Sequence, residues 1–357
     1  MNGFRLGSRA ALISLAAVSV AWVVVAGPLN PPSGAVSSTY KTLSEVEPRI
    51  AINATNTPGD ATSQFVISQK GSYYLTGNVD VSAAKNGIKI TASDVTVDLN
   101  GFTLTGSGSA LAAIKDQTTG FLSGICVRNG HLRGWTQGGV LLGSSRGCLF
   151  EDLTLIDVLG DYGLYVAYNS VIRNCTTDNV QGTGANFAAI GVVCCSLIQG
   201  CHVQGGDSTS AGIVFADTCT VTDCVVNNCL SDGIRAGGVG SILNCTVNYN
   251  LGDGIDVGYR SLVVGCTASG NGQAGIHVVG TDSRIEDNNV TNNARGLDAD
   301  SAGSIFLRNT ASDNTTNFDL IYGNYGIFIA GLSGGAVLGN SGGTSIGGTD
   351  PNANYSY

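Results

Sequence analysis

The chain has little of what builds a helical or a basic protein. Only 12% of its 357 residues are charged, and it carries one methionine and six prolines. Beyond the first 26 residues polar side chains interrupt every apolar run, so no later membrane span is expected. Sustained helical periodicity is also missing there, and Lys41 to Glu47 is the one stretch expected to form a short helix. Lysine and arginine number 17 against 26 acids, a net charge of −9. That balance argues against nucleic acid and anionic membranes as partners, because such binding rests on Lys/Arg pairing with phosphate.

The apolar run at the start has the pattern of an export signal. Arg5 and Arg9 precede a charge-free, mostly apolar stretch from Ala10 to Ala26, and Val24-Val25-Ala26 sets small or tolerated residues before a cleavage point at Gly27. Residues 1–26 are therefore expected to be a secretory signal peptide. An uncleaved anchor is the second reading, since the run reaches the short edge of spanning length. The expected location is periplasmic, cell-surface or secreted.

What is abundant is glycine, 52 residues, and much of it is periodic. Gly212-Ile213, Gly233-Ile234, Gly254-Ile255, Gly275-Ile276 and Gly296-Leu297 recur every 21 residues, with Asn317-Phe318 one step further. Backwards, the register continues through Ala189-Ile190, Gly163-Leu164, Gly139-Val140, Ala113-Ile114 and Gly87-Ile88, at steps of 23 to 26 residues. A fixed period of this size means stacked structural repeats. After each pair the residues alternate, as in Ile255/Val257 and Ile276/Val278, which is the pattern of a strand with one buried face. A second apolar column, Ile172, Ile198, Val221, Ile242, Val263, Ile285 and Phe306, is followed three residues later by Cys175, Cys201, Cys224, Cys245, Cys266, Asn288 and Asn309. Five residues on, Cys229, Asn250, Asn271, Asn293 and Asn314 form a third column. Each coil thus reads as three short strands and turns, with equivalent residues of stacked coils about 4.8 Å apart.

These columns resemble the right-handed parallel β-helix of the pectin-lyase-like superfamily, with repeats similar to carbohydrate-binding and NosD-type proteins. The resemblance covers Ser63 to Ile329. The motif GSYYLTGNVDV…GIKITASDVTVDLNGFTLTG, Gly71 to Gly106, is similar to the start of many exported bacterial β-helix proteins. It implies an all-β solenoid of about eleven coils of 21–26 residues. It also implies an inward asparagine ladder at one turn, which Asn288 and Asn309 match and five cysteines precede. The expected organisation is residues 27–61 as linker and N-terminal cap, 62–330 as β-helix, and 331–357 as C-terminal cap, since a solenoid must cover its open ends. A monomer is expected.

Eleven cysteines in an exported chain suggest disulfides, but a linear column with one member per coil suggests buried thiols that behave as small hydrophobes. A zinc site would need ligands converging tetrahedrally. Cys194 and Cys195 are consecutive, so one is expected to face the core and the other solvent; Cys195 and Cys219 are the first pair to consider for a bond.

The resemblance places polysaccharide chemistry on the outer face of the first strand. The outward column there reads Lys89, Lys115, Leu141, Tyr165, Gly191, Val214, Arg235, Asp256, His277, Asp298 and Asp319. Asp256, His277, Asp298 and Asp319 are the candidate catalytic groups. Asp298 and Asp319 on neighbouring rungs approach the roughly 5 Å of retaining glycosidases, and Asp256 and Asp298 approach the wider inverting range. Close carboxylates raise one another's pKa and favour a cationic His277. Arg235 and Arg260 are candidate partners for a uronate carboxylate, and Tyr259 and Tyr165 for a sugar ring, with Tyr162, Tyr168 and Trp135 as further aromatic surface. The competing reading is a solubilising ladder of alternating charge. The polygalacturonase pattern, the pectate-lyase calcium arrangement and the Asp-Pro-His of mannuronan epimerases are all missing, and the calcium-binding nonapeptide repeat is too. No metal or cofactor is expected, calcium having no motif. Three functions compete: a polysaccharide-binding surface protein, a polysaccharide lyase or hydrolase, and a structural or adhesive component.

Overall fold

Glycine opens most of the first strands, and at Gly233 there is no room for a side chain. A Cβ on Gly233 would sit 2.2 Å from the Val247 side chain and 2.7 Å from the Gly254 carbonyl oxygen. The coil above and the neighbouring strand close on the backbone together, so the pair Gly-Ile marks the place where the chain turns inward to begin its strand.

The computed structural model describes residues 48–82, 84–116, 120–182, 187–206, 211–330, 337–338 and 351–357. The expected signal at 1–26 and the helix at Lys41 to Glu47 lie outside them. The described residues all fall in one unit, 47–357, and contain strands and turns but no helix. They form a parallel β-solenoid of about 11 turns. The first strands of successive coils make one 14-stranded sheet, called sheet one; the second and third strands make a 23-stranded sheet, called sheet two. In sheet one the predicted column is in register without a break, from Val66↔Lys89 through Arg235↔Asp256, Asp256↔His277 and His277↔Asp298 to Asp298↔Asp319. The column also begins one coil earlier than the Gly-Ile register reaches, because Phe65 pairs with Ile88 in place of another aliphatic.

The inward column is hydrocarbon. Ile213, Ile234, Ile255, Ile276, Leu297 and Phe318 stack one per coil and are fully buried, each contributing on the order of 1.5–3 kcal/mol of burial free energy. The corners carry the specificity. At each, one residue adopts the left-handed backbone and the next turns its side chain into the core. Asn174, Gly200, Asp223, Asn244, Gly265, Asp287 and Arg308 all have φ between 52° and 68°; next to them stand Cys175, Cys201, Cys224, Cys245, Cys266, Asn288 and Asn309, all buried. Asn288 Nδ2 donates to Val263 O at 3.0 Å, while Asn309 Oδ1 accepts from Asn288 N at 3.0 Å and from Asn288 Nδ2 at 2.9 Å. The thiols take over the donor half of that role. Cys266 Sγ lies 3.6 Å from Ile242 O, and Cys245 Sγ 3.8 Å from Val221 O, the equivalent carbonyls one coil before. The second ladder runs Cys229, Asn250, Asn271, Asn293, Asn314 and ends on Asn317, whose Oδ1 accepts from Asn314 Nδ2 at 2.9 Å.

A third ladder, absent from the sequence reading, closes the remaining corner. Ser170 N donates to Ser196 Oγ at 3.1 Å, Ser196 N to Cys219 Sγ at 3.4 Å, and Ser261 N and Ser283 N to Ser283 Oγ and Ser304 Oγ at 3.1 and 3.2 Å. Its members stand two residues before the second apolar column, so the signal was present in the sequence. This ladder corrects two expectations. Cys219 is a buried rung, whereas Cys195 is the left-handed residue (φ 58°) of its corner and is exposed; both are free thiols. Neither Cys194, half-buried, nor Cys195 takes the core position, which Ser196 holds.

At the N-terminal side Ile50–Ala51 pairs with Tyr73–Tyr74. At the C-terminal side Asn354–Ser356 pairs with Phe328–Ala330 and with Thr310 and Ala311. Asn354 Oδ1 accepts from Asn309 Nδ2 at 2.8 Å, so this segment adds the last rung of the first ladder. Phe328 packs edge-on against Phe318 beneath it, ring centroids 4.9 Å apart.

Asn271→Ala removes two donors and the acceptor for Asn250, all buried. A loss of about 1–3 kcal/mol is expected in denaturant unfolding, and Asn271→Cys should lose less because the thiol keeps one donor. Equal losses for the two variants would show that the thiol does not substitute for the amide.

Candidate functional site

Successive coils of sheet one place His277 between two rungs of acids. Its Nδ1 is 3.1 Å from Asp253 Oδ2 and 3.5 Å from Asp256 Oδ1; its Nε2 is 3.2 Å from Asp300 Oδ2 and 3.9 Å from Asp298 Oδ2. Asp253 is held from behind, since its Oδ1 accepts Ala274 N at 2.7 Å and its own N–H donates to Asp232 Oδ1 at 2.9 Å. Asp232 in turn accepts Arg235 Nε at 2.8 Å. On the other side Arg295 Nε lies 2.9 Å from Asp298 Oδ2 and its Nη1 3.9 Å from Asp319 Oδ2. The charges alternate along the solenoid: Arg235, the acids of two coils, His277, Asp298 with Asp300, Arg295, Asp319.

The hydrogen bond to Asp253 is the main reason the His277 pKa rises to about 9, with the charges of Asp253 and Asp256 adding to it against the opposing effect of burial. Asp256 is pushed up to about 6, first by burial, with His277 opposing and Asp232 and Asp253 reinforcing. Asp298 is raised too, again by burial first, against Arg295 and His277. The expected mechanism, mutual repulsion of carboxylates, is therefore secondary to desolvation. Asp256 Oδ1 and Asp298 Oδ2 are buried and make no hydrogen bond of good geometry. Two triples, Asp253–Asp256–His277 and His277–Asp298–Asp300, bring ligand-type atoms together. Both of them need a lone pair on His277. Its two ring nitrogens each face a carboxylate at hydrogen-bonding distance, an arrangement that suits an imidazolium carrying both protons.

Asp256, His277 and Asp298 are thus brought together as expected, and Asp319, beside Asp298 in the register, shares Arg295 with it. Arg235 is occupied by Asp232. Tyr259 and Arg260 stand at the corner after Asp256, the guanidinium 6.0 Å from the Tyr259 ring and 4.0 Å from Asp282. Tyr165 is four rungs from Asp256 along the register, about 19 Å at ~4.8 Å per rung. Tyr165 belongs to a different feature. It stacks on Tyr162, centroids 4.4 Å and planes 22° apart. Gly191 makes this possible, since a Cβ there would meet the Tyr162 ring at 2.4 Å. Lys115, Asp116, Leu141, Ser144 and Asp161 join the two tyrosines around a groove of about 370 Å³. Asp116 closes one wall, its Oδ2 accepting Ser144 N at 2.8 Å and Ser145 Oγ at 2.7 Å. Trp135 contributes nothing to the surface: it is fully buried, its indole N–H donating to Leu104 O at 3.1 Å.

A family model described as right-handed beta helix region matches residues 211–342. The chain has the fold of a right-handed parallel β-helix. Among solved structures, this β-helix is similar to the A-modules of two Azotobacter vinelandii mannuronan C-5 epimerases. For AlgE6 the TM-score is 0.51 at 12% identity, covering 78% of this chain and 90% of the module; for AlgE4 it is 0.52 at 12%, covering 72% and 91%. At this identity the likeness is one of fold. No curated protein matches the sequence.

The sequence reading missed Asp253, Asp300 and Arg295. Asp253 stands just before Gly254, where the chain enters its strand, and its position opposite the next coil's strand aims its carboxylate at His277. The charge pattern of the β-helix predicts a titration. His277 should titrate near pH 9 by NMR, and Asp253→Asn should bring it back towards 6.5. The folded-state value is the higher one, so the stability His277 contributes is complete below pH 6.5 and is lost as pH rises through about 9. A midpoint near 6.5 in the unaltered protein would show that the acids do not hold the proton.

Proposed function

We propose that this β-helix binds an extended polysaccharide along the outer face of sheet one, with the groove around Tyr162 and Tyr165 as its principal subsite. One observation carries the reading: a stacked tyrosine pair laid over a glycine of the in-register column and bordered by Lys115, Asp116, Ser144 and Asp161. A flat apolar platform rimmed by hydrogen-bonding groups is what a pyranose ring requires, its axial C–H face meeting the aromatic rings and its hydroxyls the polar rim. The coil repeat gives the face a length that matches a chain rather than a single sugar. The two epimerase modules of the same fold are named for mannuronan, itself a polysaccharide, which agrees with this reading. Export fits it also, resting on the Arg5, Arg9 and Ala10 to Ala26 pattern, and among the described residues no helix is long and apolar enough to cross a membrane.

The second reading is lyase or hydrolase chemistry at Asp256 and His277, favoured by an Asp256 that gains a proton near pH 6 beside an imidazolium. Against it stands the pairing of the site, since His277 faces carboxylates on both nitrogens and Arg295 neutralises Asp298 and Asp319.

A glycan array together with affinity electrophoresis in polysaccharide gels tests the proposal. Tyr165→Ala should weaken binding several-fold to about tenfold, the ~1 kcal/mol scale of an aromatic contact. Asp256→Asn should leave binding unchanged. Release of reducing ends or unsaturated uronates by the unaltered protein, lost in Asp256→Asn, would replace the binding reading with the enzymatic one.

A further inference from the structure

Cys194-Cys195 takes no part in the polysaccharide reading. Cys194 ends the strand Ala188–Cys194, with Tyr168 on the rung before it and Asp217 on the rung after. Cys195 follows in the left-handed conformation that Asn169, Thr218, Arg260 and Asp282 adopt at the same corner of other coils. That conformation turns the Cys195 side chain outward while Ser196 turns in. The result is two consecutive thiols on the outer surface, their sulfurs 3.0 Å apart. They border a depression of about 290 Å³ with Phe121, Arg146, Tyr168 and Asn169, where the Phe121 and Tyr168 rings meet edge-on at 6.1 Å.

No other cysteine is placed in this way. Cys148, Cys175, Cys201, Cys219, Cys224, Cys229, Cys245 and Cys266 are buried, and Cys126 is half-buried. Cys219, on the rung after Cys195, points its thiol into the core, donating to Asp217 O at 3.2 Å and accepting from Ser196 N at 3.4 Å. It is out of line with an outward Cys195.

We propose that Cys194 and Cys195 are a redox modification site, a vicinal dithiol that closes reversibly to a disulfide by exchange with a low-molecular-weight or protein disulfide. The Cys195 thiolate attacks one sulfur of the external disulfide, forming a mixed disulfide and expelling the first thiolate. Cys194 then gives up its proton and attacks the Cys195 sulfur, closing the ring and releasing the second thiol. Two protein thiols are oxidised by two electrons, and one external disulfide is reduced to two thiols. The roles follow from exposure: Cys195 is the accessible sulfur. The hydrogen bond between the two thiols agrees, pushing Cys194 up to about 11 so that it keeps its proton at the start. Adjacent Cα atoms are about 3.8 Å apart, below the roughly 4.4 Å at which disulfide spacings usually begin. The ring is therefore readily reduced again. Closure replaces two hydrogen-bonding thiols with an apolar sulfur face beside Phe121 and Tyr168.

The test is to equilibrate the full chain in glutathione buffers of rising oxidised fraction, unfold it with iodoacetamide and no reductant, cleave before aspartates and weigh the fragment from Asp178 to Gly206. This fragment holds Cys194, Cys195 and Cys201. The expected result is a species lacking two hydrogens and labelled only at Cys201, appearing in the oxidised buffers and returning to full labelling after dithiothreitol. Cys195→Ser, at an exposed position, should abolish that species while leaving the unfolding midpoint unchanged. Labelling of all three cysteines in every buffer, a glutathione adduct that persists on Cys195, or a crosslink to Cys219 would each overturn the proposal.

Discussion

The whole structure depends on one constraint: the chain must satisfy its backbone N–H groups at every corner from the coil above, inside a buried, largely apolar core. Strands satisfy their own through the parallel ladders, but corners interrupt those ladders. A small polar side chain projecting inward from the next coil supplies the missing acceptor, and its own donor reaches a carbonyl of the coil before. Three such columns run along the solenoid, of amides, thiols and hydroxyls. They stack only if each coil places the same residue at the same height, which is why the period settles at 21 residues once the inserted loops disappear.

That regularity accounts for the cysteines. A thiol packs like a small hydrophobe and donates weakly, so it serves where the coil needs volume and tolerates a poorer hydrogen bond. The change from Cys266 to Asn288 marks the point where Cys266 N gains an amide acceptor, at 2.8 Å. Towards the C-terminal coils both amide ladders are complete, and Asn354 and Asn317 bring them to an end.

The same stacking that orders the inside arranges the outside. Residues of the outward column meet their neighbours on adjacent rungs whether or not function requires it, so ionisable groups placed there must be paired. Around His277 the charges are paired except that Asp256 Oδ1 and Asp298 Oδ2 lack a hydrogen bond, and the raised pKa values of Asp256 and Asp298 come from burial between coils more than from repulsion. The longer coils before it differ in kind. There Gly191 leaves space for the Tyr162 ring, which stacks on Tyr165, and the face becomes a groove instead of a charge ladder.

Periodicity made the solenoid, its inward columns and the outward order from Lys89 to Asp319 legible in the sequence, because a solenoid converts spacing along the chain directly into neighbourhood in space. The serine corner is equally periodic but less legible, because Cys219 and Gly240 interrupt it. What spacing cannot convey is the direction a side chain takes out of a turn. Asp253 and Asp300 reach His277 from outside the strand column, Trp135 folds under the surface its neighbours share, and a left-handed φ sends Cys195 outward beside Cys194 while Cys219 turns in. Those directions are set by packing between coils, and only the tertiary structure decided them.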